Sequence, residues 1–154
     1  YKGEPLRILT SRQYEFHFKM AEVAKVNLEA AGFTVQLDVV EWATLIERRG
    51  NPDLWDIFIT HSPFLPEPTL TNLYVENSPI GWVNADRDAI YARLTGESDP
   101  IARQAAFADL QKLVYTEVPF YKVGGFNALM GKKQGLTGIA PTPWPFFWNA
   151  QVSN

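Results

Sequence analysis

The sequence predicts an α/β fold built on parallel strands, and three observations carry that expectation. Leu6-Arg7-Ile8-Leu9-Thr10 and Val35-Gln36-Leu37-Asp38-Val39-Val40 alternate with period two, the spacing of a half-buried strand. The interval between them has helical spacing. A third run, Leu54-Trp55-Asp56-Ile57-Phe58-Ile59-Thr60, is apolar on both faces and suits a central, fully covered strand. Strand, helix, strand, short helix, strand is a βαβαβ unit, and right-handed crossovers make its strands parallel.

Each element has its own signal. After the first strand, Ser11-Arg12-Gln13 reads as a turn, and a helix of about five turns follows, with Phe16, Met20, Val23, Ala24, Asn27, Leu28 and Ala31 on its apolar face. Gly32 stands where a left-handed residue ends such a helix. Trp42, Leu45 and Ile46 begin a short helix that Gly50-Asn51-Pro52-Asp53 breaks. Beyond Thr60 the chain becomes His61-Ser62-Pro63-Phe64-Leu65-Pro66-Glu67-Pro68, a loop with neither helical nor strand pattern. Ligands of open α/β sheets sit beyond the carboxyl ends of the strands, so this loop is expected to be the binding edge.

Residues 69–84 read as a long loop with a short helical piece, and 86–95 as a helix. Ser98-Asp99-Pro100 provides a cap and a first-turn proline for a last helix reaching about Glu117, with Ile101, Ala105, Ala108 and Leu113 toward the core. Residues 118–123 and 128–130 are expected as two short strands around Gly124-Gly125, after which 136–139 and a proline-rich end lead away. Trp55, Phe58, Phe107 and Phe120 are assigned to the core, by the preference of large aromatics for burial.

The 154 residues are the size of one domain, and 46% hydrophobic with 14% aromatic content is ample for a core. A net charge of -3, with no basic cluster beyond Arg48-Arg49 and Lys132-Lys133, argues against nucleic acid. The chain has no cysteine, which removes disulfides, thiolate catalysis and sulfur-ligated metals. No apolar stretch approaches the ~18 residues of a membrane-spanning helix. The start at Tyr1-Lys2-Gly3-Glu4-Pro5 and the aromatic end through Trp148 suggest a piece of something larger.

The residues offer little chemistry. His17 and His61 lie far apart in sequence, and neither has the spaced partner of a metal site. His17 is expected to have a structural or surface role, whereas His61 lies on the binding edge. Ser62 precedes Pro63 where a nucleophile elbow needs glycine. Asp56 is expected to bond backbone near its strand, and Glu41 and Glu47 to face solvent. No catalytic residue, metal ligand or cofactor motif emerges. Trp42 and Phe64 are candidates for a ligand face, with packing as the alternative.

In order along the chain, Gly32-Phe33-Thr34-Val35, Glu41-Trp42-Ala43-Thr44-Leu45 with Arg48-Arg49, Asp56 and the Glu67-Pro68 step form one set of landmarks. Trp82 with Asn84-Ala85-Asp86, Asp99-Pro100-Ile101-Ala102-Arg103, Val118-Pro119-Phe120 and Leu136-Thr137-Gly138 complete it. This series resembles the large ligand-binding lobe of family 5 extracellular solute-binding proteins, the peptide-, nickel- and glutathione-type receptors of ABC importers. The resemblance implies a three-layer lobe of a type II periplasmic binding protein, one domain over residues 1–154, with a mostly parallel central sheet flanked by helices. It implies ligand contacts from Trp42, Arg49, His61, Ser62 and Phe64, with a peptide or other small solute closed in by a hinge. Peptide-binding members carry an aspartate for the ligand's amine where this sequence has Phe64 and Leu65, which leaves peptide, opine, sugar and metal chelate open. The implied partners are the second lobe of the same receptor and the permease subunits. Membrane contact would come only through the permease or a lipid anchor outside this chain, at the periplasmic or extracellular face of the cytoplasmic membrane. The alternatives are a small α/β hydrolase-like enzyme using Glu67, Asp56 and His61, and a sensing domain without transport.

Overall fold

A computed structural model describes residues 1–63, 65–127, 129–140, 142 and 146–153. The expected alternation forms: β1 (Leu6–Thr10), α1 (Glu15–Ala30), β2 (Val35–Val39), α2 (Trp42–Arg48) and β3 (Ile57–Phe58). β1 pairs in parallel with β2 from Leu6↔Val35 to Thr10↔Val39, and with β3 at Ile8↔Ile57 and Leu9↔Phe58. The sheet order is β2-β1-β3, so the first strand is the central one. Ile8, Ala21 and Val35 form the buried centre between α1 and the sheet, with Leu28, Leu37 and Ile57 packed around it. Gly32 follows α1 at φ +93, where a side chain would be strained.

The expected covered strand over residues 54–60 is corrected in two ways. Its regular part is two residues long, and among the described residues it pairs with β1 alone. Pro52 takes the beginning of the run: Asn51 accepts the Asp53 N–H at 3.1 Å and holds Pro52–Leu54 in a 3-10 turn. Pairing continues weakly beyond the strand, with Asp56 N–H donating to the Arg7 carbonyl at 3.0 Å and Ile59 N–H to that of Leu9 at 3.2 Å. Asp56 also accepts the Arg7 backbone N–H at 2.7 Å and its Nε–H at 3.1 Å, which pins this strand to β1. The adjacent Arg7 guanidinium holds the Asp56 carboxyl below its usual range.

Three further expectations fail for identifiable reasons. The inner face of α1 is His17, Phe18 and Ala21, with Ala24 and Leu28 beside the core, while Val23 is 61% exposed. That face is rotated about one residue, ~100°, from the expected one, because the helix carries valines on its outer side and is seated through small alanines. Residues 118–123 form no strand, since Val118 turns left-handed at φ 50 and ends the preceding helix. Residues 129 and 130 form none either, and Ala128 lies outside the described residues. Trp55, Phe58 and Phe120 are half-buried and lie outside the fully buried core, while Phe107, also half-buried, packs against Leu94, Ala106 and Leu110.

The remaining helices are α3 (Ala85–Gly96) and α4 (Pro100–Glu117), capped by Asn84 and Asp99, whose side chains accept the Arg87 and Ala102 N–H groups. They pack on each other through Leu94, Ala106 and Leu110. The expected inner positions Ile101, Ala105 and Ala108 are exposed, because the contact with α3 selects the stripe through 106 and 110. Cα packing divides the chain into two compact units, Tyr1–Phe120 and Tyr121–Asn154. The second contains β4 (Leu136–Thr137) and β5 (Gln151–Val152), antiparallel, with Gly138 so close to the Asn149 carbonyl that no Cβ could fit.

Candidate functional site

Each parallel strand hands over to an aromatic or imidazole ring within four residues of its carboxyl end. Tyr14 follows β1, Trp42 follows β2 and His61 follows β3. The rings meet. Tyr14 lies edge-on to Trp42 at 5.0 Å and to His61 at 4.9 Å, and Trp42 is stacked on His17 at 5.5 Å and on His61 at 6.0 Å. His17 is fully buried, and its Nε2 stands 3.0 Å from His61 Nδ1. Its own Nδ1 is buried without a hydrogen-bond partner among the described residues. A bare lone pair is cheaper to leave there than an N–H, so His17 Nε2–H is the donor and His61 Nδ1 the acceptor. Burial, then the neighbouring His61, push the His17 pKa down to about 4, which keeps it neutral at pH 7.

Two adjoining clefts open beside β3 and share Arg49 and Pro79. One, of about 170 Å³, is walled by Phe58, Thr60, His61, Ser62 and Pro63 on one side and by Asn72 and Leu73 on the other. The other, of about 290 Å³, runs over Gly50 and Trp55 and is faced by Glu76, Asn77 and Ser78. Loop 76–81 is held from behind by Arg87, whose side chain is 1% exposed. One of its guanidinium nitrogens, Nη1, donates to the Val75 carbonyl at 3.0 Å and to the Trp82 carbonyl at 2.6 Å, bracketing the loop. Trp82 and Asn84 are tied in turn to Glu117 at 2.9 and 2.8 Å.

The sequence-predicted residues therefore separate. Arg49, His61 and Ser62 share a cleft. Trp42 lines neither cleft and packs in the ring cluster. Phe64 lies outside the described residues. His17, read as structural or surface, is buried and bonded to His61 in the loop after β3. The same rule that selected the loop after β3, applied to β1, would have selected Tyr14 and His17. Nothing in the sequence singled out loop 76–81, because its approach to Arg49 depends on tertiary packing.

The carboxylates proposed for an enzyme are engaged elsewhere. Glu67 Oε1 accepts the Thr69 N–H at 3.3 Å and Arg103 Nη2 at 2.6 Å. The Thr69 N–H first, together with Arg103, holds its pKa below the usual carboxylate range. Asp56 is occupied by Arg7. Glu41 and Glu47 are exposed, as expected.

No family model matches the sequence. The chain is 27% identical, over 98% of its length, to a protein of Sinorhizobium fredii described as a probable peptide ABC transporter periplasmic-binding protein. The resemblance to family 5 solute-binding proteins is borne out. The fold matches that of a dipeptide-binding protein from Pseudoalteromonas in complex with Met-Leu, with TM-score 0.73, 19% identity and 99% of this chain covered. It also matches NikA from Brucella suis in complex with Fe(III)-EDTA, with TM-score 0.60, 19% identity and 72% coverage. This is an α/β fold of the type II periplasmic-binding class, with a parallel sheet flanked by helices. The chain spans 30% of the curated relative, and 33% and 24% of the two solved structures. No described helix is long and apolar enough to cross a membrane.

Proposed function

We propose that the chain is one ligand-binding wall of a solute receptor for an ABC importer, a binding module and not an enzyme. All 154 residues belong to one lobe of that receptor, and a second lobe closes over the solute by a hinge. The closed form is then recognised by membrane permease subunits on the outer side of the cytoplasmic membrane. The observation that carries this reading is the match to a peptide-type periplasmic-binding protein over 98% of the chain. Support comes from the clefts beside β3, where Arg49, His61 and Ser62 meet next to a parallel strand's carboxyl end. Clefts of this size hold a group no larger than one or two amino-acid residues from a single wall, so tight binding needs the opposing lobe.

The test is calorimetry of the full-length receptor against short peptides and other small solutes, with a hydrolysis assay in parallel. Saturable binding without turnover is expected. Turnover of any of these compounds, or no binding to any, would overturn the reading.

A further inference from the structure

The bond between His17 Nε2 and His61 Nδ1 joins a fully buried imidazole to an exposed one at the edge of the smaller cleft. Rings surround the pair: Tyr14 and Phe16 at the start of α1 and Trp42 in α2, of which Tyr14 alone is titratable. The charges carried by the same elements are turned elsewhere. Arg12, after β1, lies over the Phe18 ring at 3.7 Å, Glu15 is exposed and 3.9 Å from Lys19, and Glu41 is exposed. Arg49, which lines the smaller cleft with His61, is a cation as well. Among the described residues no carboxylate is bonded to either imidazole.

Proton counting then limits what the pair can do. When neutral it carries one proton in the bridge, on His17 Nε2, and one on His61 Nε2. If a further proton arrives and the bridge still holds one, both outer nitrogens must be protonated. One of these is His17 Nδ1, which would become a buried N–H with no acceptor among the described residues. If the bridge takes the further proton, two N–H groups face each other across 3.0 Å. The remaining course is for His61 to turn into water with the proton, and its exposure leaves that course open. Burial and the neighbouring His61 keep His17 itself neutral down to about pH 4, so His17 does not take the proton.

On the receptor reading above, we propose that this pair is an acid-released latch: one added proton breaks the bond between His17 and His61, frees residues 61–63 from the wall of the smaller cleft, and lets the solute go. His17 acts as a positioning residue, holding His61 and through it Ser62 and Pro63 in that wall. The new charge on His61 is not compensated there, because the charged residue it shares the cleft with is Arg49.

The experiment uses the full-length receptor at about pH 7.5 and about pH 5, either side of the ordinary histidine range. Hydrogen exchange, corrected for the intrinsic effect of pH, is followed at Thr60, His61 and Ser62, and dialanine binding by calorimetry. In the wild type, exchange at these residues should be about tenfold faster in acid, on the order of one lost hydrogen bond, and dialanine should bind about tenfold more weakly. His17→Gln should abolish the acceleration, because an amide can donate to neutral His61 or accept from its protonated Nδ1–H. His61→Gln, at an exposed position, should abolish it as well, and thermal melts check that both variants fold. Equal exchange at the two pH values in the wild type, or acceleration that survives in His61→Gln, would overturn the latch. Dialanine affinity that holds or rises in acid while the loop opens would overturn the release step. Dialanine binding at neither pH would overturn peptide release and count against the receptor reading, with the exchange result still deciding the latch.

Discussion

His17 Nε2 lies 3.0 Å from His61 Nδ1 although 44 residues separate them. This bond fastens the start of α1 to the loop that leaves β3, and it does so inside a cluster of Tyr14, Trp42 and Phe16. A single residue on the edge of a cleft thereby takes its orientation from a buried partner.

The pair makes stability depend on pH in a definite direction. The His17 pKa falls from 6.5 to about 4 on folding, so the unfolded chain binds the extra proton between those values. The stabilisation is complete above pH 6.5 and is lost as pH falls toward 4. At ~1.4 kcal/mol per unit, about 2–3 kcal/mol should disappear between pH 7.5 and 4.5. Urea unfolding of wild type and His17→Gln at both pH values would measure it. Equal pH dependence in the two proteins would show that His17 is not responsible.

Arg87→Met should lower stability by roughly 1–3 kcal/mol, since it leaves the Val75 and Trp82 carbonyls without their buried donor, while the half-exposed Asp88 keeps its water. Hydrogen exchange should quicken at residues 76–81 before the rest of the domain. A loss below 1 kcal/mol with unchanged exchange would remove the clamp from the account.

The two tryptophans near the clefts should behave differently. Trp55 lines the larger cleft, so Trp55→Ala in the full receptor should weaken solute binding as well as cost about 1–3 kcal/mol as a half-buried truncation. Trp42 packs against rings and lines neither of the two clefts beside β3, so Trp42→Ala should act first on stability and on affinity only through His61. Thermal melts paired with calorimetry separate the two effects. Unchanged affinity in Trp55→Ala would move the ligand away from this cleft.

Much of the scaffold was legible because its signals are local. Period-two alternation located β1 to the residue and β2 to within one, and Asp99-Pro100 located the start of α4. The third strand was overread, because an apolar run does not report which partners cover it, and Pro52 had already diverted its first residues into a turn. Helix faces were misjudged where apolar residues stand on both sides: Val23 and Ile101 point outward while Ala21 and Ala106 point in. Of the candidate site, the loop after β3 and Arg49, which share a cleft, had been singled out by the strand-end rule and the family landmarks. The histidine pair and Glu76 had not, because each depends on contacts between elements that no spacing encodes.

The most direct measurement is the structure of the full-length receptor crystallised with a solute that calorimetry has shown it binds. The account predicts density for that solute against Arg49 and within reach of His61 and loop 76–81, with a second lobe closed over it. Solute bound elsewhere, leaving both clefts beside β3 filled only with water, would contradict it.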